Sequence, residues 1–180
     1  MSPSSIAQEL ALLAAIFSFA THAIGQTALE YQVKAAYLYN FAKFVTWPGN
    51  ESSSVFTICV IGKDPFGPIL DDTVRGKSVR GQPIAIRRLS RAGEPRGCQL
   101  VFADYGQEFC RNLPIPSDWD GILLVGEGDS FARCGGMIGL TLKGGRVQFD
   151  INVGAVARAH LEVSSKLLQV ASIVPGAGTK

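Results

Sequence analysis

Three short runs decide most of what this chain can fold into. Val55–Ile61 (VFTICVI), Leu100–Ala103 (LVFA) and Ile122–Val125 (ILLV) are almost wholly apolar, and Gly62, Asp104 and Gly126 close them. A strand with one wet face alternates apolar and polar residues. A run that is apolar throughout is buried on both faces, as in a sheet covered by helices. The segments between these runs fit that plan. Residues 29–46 have Val33, Ala36, Tyr37, Asn40, Phe41 and Phe44 at helical spacing, and Pro48-Gly49 stops the helix. Asp64-Pro65 reads as an N-cap with Pro at N1, opening a helix that runs to Val74. Lys77–Val79 and Ile84–Leu89 read as strands joined at Gly81, and Arg91–Gly97 as loop. Gln107–Asn112 is a short helix, and Asp129 or Ser130 caps another that reaches Arg133. Met137–Leu142 and Arg146–Ile151 form a hairpin around Lys143-Gly144-Gly145; Ala155–Ala159 and Ser164–Ile173 read as helices. The fold class is α/β: a single three-layer-type domain, a mixed β-sheet flanked by helices, with a C-terminal β-hairpin and helix. A length of 180 residues suits one domain, and a 47% hydrophobic content excludes a largely disordered chain.

Residues 1–25 stand outside that fold. Leu10–Ala20 is an uncharged apolar run of eleven residues, too short to cross a membrane as a helix, and Ala23-Ile24-Gly25 fits a small-x-small cleavage site. This is the layout of a secretory signal peptide, although the segment before the run has no Lys or Arg and carries Glu9. Cleavage leaves a domain over 26–174 and a disordered tail over 175–180. It also leaves His160 as the sole histidine. The expectation is export, with the mature domain soluble.

Lys+Arg 17 against Asp+Glu 15 is too balanced for a protein that binds a nucleic-acid backbone. A Ser-His-Asp triad has only His160 to draw on, and there is no G-x-S-x-G elbow. Asp71-Asp72 are neighbours that diverge on a helix, so they read as a solvated face rather than a metal site. Gly126-Glu127-Gly128-Asp129-Ser130-Phe131 lacks the third glycine of a dinucleotide fingerprint, and its carboxylates repel phosphate; it reads as a tight βα turn. No enzyme, cofactor or metal is expected. Four cysteines, Cys59, Cys98, Cys110 and Cys134, survive cleavage without a C-x-x-C. In an exported chain they read as disulfides, with three connectivities open.

Several motifs resemble one family. Residues 33–48 (VKAAYLYNFAKFVTWP), Asp64-Pro65-Phe66-Gly67, and Val74-Arg75-Gly76-Lys77-Ser78-Val79 are similar to the N-terminal signatures of the YfiR family, the DUF4154 domain. Gly135-Gly136-Met137-Ile138, residues 146–152 (RVQFDIN) and Ser164-Ser165-Lys166-Leu167-Leu168 resemble its C-terminal ones. The resemblance covers about residues 30–174. It implies a non-enzymatic periplasmic repressor that binds the sensory region of an inner-membrane diguanylate cyclase. It also implies a homodimer, a redox response through disulfides and, in some bacteria, sequestration by an outer-membrane lipoprotein. It further implies a Cys59–Cys98 bridge between neighbouring strands. Cys110 and Cys134 depart from the family's second bridge; if the strands before them are neighbours, they can pair with each other.

Two clusters are candidate partner surfaces. Arg87, Arg88 and Arg91 near a strand end can meet an acidic sensor face. Tyr39 falls off the main helical face and is a candidate for self-association. The alternative reading is a periplasmic small-molecule sensor acting on another membrane receptor such as a histidine kinase.

Overall fold

The computed structural model describes residues 26–49, 53–91, 93–104 and 120–175. Residues 1–25, expected as a leader, the helix expected over 107–112, Cys110 and residues 176–180 lie outside them.

Helix α1 covers 26–44. Its buried face is rotated from the one the periodicity predicts. Lys34, Ala35, Leu38, Phe41 and Ala42 are at most 3% exposed, whereas Val33 is 38% exposed and Ala36 faces solvent. The small Ala35 and Ala42 let the helix backbone approach the sheet, and Tyr37 and Phe44 pack at its flanks, half-buried. The helix ends before Val45–Thr46, which forms the two-residue strand β1 instead of a last helical turn. Trp47 follows, buried, and its indole N–H donates to the Gln99 carbonyl at 2.9 Å. The Gln99 side chain in turn accepts from the Thr57 amide at 2.6 Å. One aromatic residue thus ties the helix end to the entrances of two strands.

The remaining elements, in chain order, are β2 (Phe56–Ile61), α2 (Pro68–Val74), β3 (Ser78–Val79), β4 (Gln82–Leu89), β5 (Leu100–Ala103), β6 (Leu123–Glu127), β7 (Ile138–Lys143), β8 (Arg146–Asn152), α3 (Val153–Arg158), β9 (Glu162–Val163), α4 (Ser165–Leu168) and β10 (Ser172–Val174). Eight strands form one mixed sheet in the order β10-β8-β7-β6-β5-β2-β4-β3. Strands β4, β2, β5, β6 and β7 run parallel, β3 runs antiparallel to β4, β8 runs antiparallel to β7, and β10 is parallel to β8. β1 pairs with β9 in a separate ribbon. The three apolar runs become the adjacent central strands β2, β5 and β6, buried on both faces. The register puts Phe102 of β5, Glu127 of β6, Phe149 of β8 and Arg88 of β4 on one face. α1 meets that face through Tyr37 and Phe41 against Phe149, and α2 meets it through Asp71 against Arg88. Both hairpins turn on two residues of positive φ, Arg80-Gly81 and Gly144-Gly145, as two-residue turns between antiparallel strands require.

Three local readings are corrected. Asp64 does not cap α2: its carboxylate accepts from the Phe66 and Gly67 amides in a turn, and the helix starts only at Pro68, after Gly67 with φ 51°. Residues 129–135 are turns rather than a helix. Ser164–Ile173 is not one helix; Ser164 caps the single turn of α4, and the chain then joins the sheet as β10, beside β8.

The 128–136 turns are shaped by Phe131, which is 2% exposed. A Cβ on Gly126 falls 2.1 Å from its ring, and one on Gly136 falls 2.3 Å from it. The ring therefore occupies the space two side chains vacate, which explains why glycines flank this loop. Gly136→Ala is expected to lower stability by about 1–3 kcal/mol through overpacking. Chemical denaturation measures the loss, and Phe131→Leu in the same chain is expected to recover part of it.

Candidate functional site

A buried polar cluster sits at the carboxyl ends of β5 and β6, the edge where open α/β sheets present ligand sites. Lys34 of α1, 3% exposed, forms ion pairs with Glu30 one helical turn earlier and with Glu127, the last residue of β6. Its Nζ lies 3.1 Å from Glu127 Oε1, a close ion pair without the alignment of a hydrogen bond. It also lies 4.6 Å from the centre of the Tyr31 ring. Tyr31 packs edge-on against Phe66, which packs on Phe102 of β5.

One ammonium thus faces two carboxylates, with Asp104 close enough to add a third negative influence. Burial pushes the Glu127 carboxyl above the usual range, Lys34 pulls it back, and Asp104 and Glu30 push it further up. The Tyr31 hydroxyl is pushed up to about 12 by burial and then by Glu127, Glu30 and Asp104. The cluster fastens the first half of α1 to the sheet edge. Sequence reasoning missed it: Glu127 appeared only as part of a turn, and Lys34 only within a family signature. The signal was a lysine directly beside Ala35 and Leu38 on the face that turns out to be buried.

The three candidate arginines do not form one cationic surface. Strand alternation puts Arg87 and Arg88 on opposite faces of β4. Arg88 donates to Asp64 at 2.6 Å and pairs with Asp71, while Arg87 donates to the Arg96 carbonyl at 2.9 Å. Arg91 lies against Gly62, where a Cβ would meet it at 3.3 Å. The guanidinium of Arg88 holds the Asp71 carboxyl below its ordinary value. Arg88→Met is therefore expected to return Asp71 to the ordinary carboxylate range, a change that NMR titration reads directly. Tyr39 is partly buried against the core, with the ammonium groups of Lys77 and Lys43 at 4.6 and 5.4 Å from its ring centre.

Cys59 of β2 and Cys98, just before β5, form a disulfide. Their Cα atoms are 5.9 Å apart, and the residues are 0% and 4% exposed. Cys134 is also disulfide-bonded. The expected Cys110–Cys134 bridge involves a residue outside the described ones. His160 is exposed, with Nδ1 2.7 Å from Asp120 Oδ1. Among the described residues no helix is long and apolar enough to cross a membrane, and no group of three or more His, Cys, Asp or Glu is placed to hold a metal ion.

A family model described as DUF4154, YfiR/HmsC-like, matches residues 31–172. That span takes in every strand of both sheets except the last two residues of β10. No curated protein matches the chain.

Proposed function

The chain belongs to the YfiR/HmsC-like family, and from that premise we propose that it is an exported regulator that binds the periplasmic sensory region of an inner-membrane diguanylate cyclase and holds the cytoplasmic cyclase off. The single observation that carries this reading is the family match over 31–172, nearly the whole fold. The buried Cys59–Cys98 bridge fits an oxidising compartment. In this reading residues 1–25 are a leader removed on export, 26–174 are the working domain and 175–180 are a tail. The protein works by binding rather than by catalysis. It acts as a homodimer, and an outer-membrane lipoprotein can sequester it.

Such a repressor must prefer one state of the sensory region, because only differential affinity shifts a two-state equilibrium. A preference of about 100-fold supplies roughly 2.7 kcal/mol. The redox response falls to the bridge of the half-buried Cys134, since the Cys59 and Cys98 sulfurs are sheltered from a reductant. Titrating the purified sensory region with the protein in a calorimeter tests the reading. Saturable binding is expected, and none at high micromolar concentration would contradict it.

One feature favours the second reading, a small-molecule sensor. An open surface cleft of about 490 Å³ between α2 and the β3–β4 hairpin has Val74, Pro83, Ile84 and Ile86 in its wall and Arg75 and Lys77 among its lining residues. A melting shift on adding a copurified ligand would support that role.

A further inference from the structure

Among the described residues five large apolar side chains are exposed, and three of them converge. Leu29 and Val33 on α1 are 61% and 38% exposed, and Leu142 near the tip of the β7–β8 hairpin is 47% exposed. They line one groove of about 350 Å³, together with Val147 and Arg146. The other two, Val170 and Ile173, belong to the chain around β10. Leu142 shares the sheet face that α1 covers, yet helix and hairpin leave a gap here instead of closing over it. The walls are set in advance. Tyr37, one turn beyond Val33, packs on Phe149 at 5.1 Å and directs its hydroxyl to the Val147 carbonyl at 3.5 Å. The tight Gly144-Gly145 turn fixes the hairpin end. A preformed apolar groove binds without a large ordering cost.

The charges at its rim select the occupant. Glu30 is already paired with Lys34, and Lys143 with Asp129 at 3.2 Å. The Arg146 guanidinium has no ion-pair partner among the described residues, so the groove offers apolar walls beside one uncommitted cation. We infer that this groove between α1 and the β7–β8 hairpin receives an amphipathic segment of the receptor's periplasmic region, with apolar side chains between Leu29 and Leu142 and a carboxylate against Arg146. The inference rests on the function proposed above and names the contact through which it is exercised.

The test repeats the calorimetric titration with the same sensory region and variants of the groove. Leu142→Asp and Leu29→Asp are each expected to weaken binding about tenfold or more, as loss of an anchor does. Arg146→Glu is expected to weaken it about tenfold and to remove part of its salt dependence. Val170→Asp, on the separate patch, is expected to bind like the wild type. All four positions are at the surface, and Leu29 is the most open of the three exposed apolar residues in the groove, so thermal melting confirms that each variant folds. If the wild type binds and the groove variants bind equally well, the groove assignment is overturned while the proposed function stands. If the wild type does not bind, the proposed function and this occupant both fail. Sedimentation of Leu142→Asp then shows whether a second copy of the chain fills the groove instead.

Discussion

Replacing Cys59 and Cys98 together by alanine is expected to lower stability by about 4 kcal/mol. The bridge spans 39 residues of sequence, and the chain-entropy account gives that magnitude for a loop of this size. It joins the first central strand of the sheet to the residue pair that leads into the next one. Its loss therefore frees the unfolded chain just where two non-neighbouring runs must meet. Both residues are buried, so a thiol reductant should reach the sulfurs only through unfolding. In native conditions, labelling of Cys59 and Cys98 with a thiol reagent after reductant treatment is expected to be slow, and mild denaturant is expected to accelerate it sharply. Denaturation midpoints of the double variant measure the energetic part. A loss below 1 kcal/mol would show that β2 and β5 are held by packing alone.

Lys34→Ala is expected to lower stability by about 3 kcal/mol, because it leaves Glu127 and Glu30 facing each other at the sheet edge without their cation. Lys34→Met together with Glu127→Gln is expected to be milder, since it removes the carboxylate of Glu127 together with its cation and leaves no unpaired charge at that position. Glu127 also sets a pH dependence. Its carboxyl is raised in the folded protein, so the folded state takes up a proton before the unfolded chain does. Stability should therefore rise as pH falls from neutral through the raised value. The gain stops at the ordinary carboxylate value, where the unfolded chain is protonated too. Glu127→Gln should abolish that gain. Asp71 works in the opposite sense: its lowered carboxyl contributes stability above the ordinary value, and acidification through the folded value removes it. Melting temperatures of wild type and Glu127→Gln, followed from pH 7 down past the ordinary carboxylate value, separate the two contributions.

The central strands were legible because burial on both faces leaves an unmistakable run of apolar residues. The two hairpins were legible because Gly81 and Gly144-Gly145 supply the turn chemistry; that Arg80 also takes a positive φ was not. Family membership was legible from motifs spread over most of the chain, and the match over 31–172 shows it. The C-terminal segment was not. Ser164–Ile173 is short and apolar enough to suit either period, and pairing with β8, which no local pattern announces, makes its end a strand. The face of α1 was misread by about one residue because bulky aromatics dominate a periodicity count, whereas the contact is made by Ala35, Leu38 and Ala42. The Lys34 cluster depends on a strand end far away in sequence. The arginine cluster dissolved for a simpler reason: adjacent residues on a strand point to opposite faces, and Arg88 found its partners in Asp64 and Asp71.

The central claim is that a preference for one state of its partner restrains a cyclase. The measurement that tests it most directly is intracellular cyclic di-GMP in the source cells with and without this gene. A clear rise on deletion is expected, reversed by the exported form and not by a form lacking residues 1–25. Unchanged cyclic di-GMP in the deletion strain would contradict the claim.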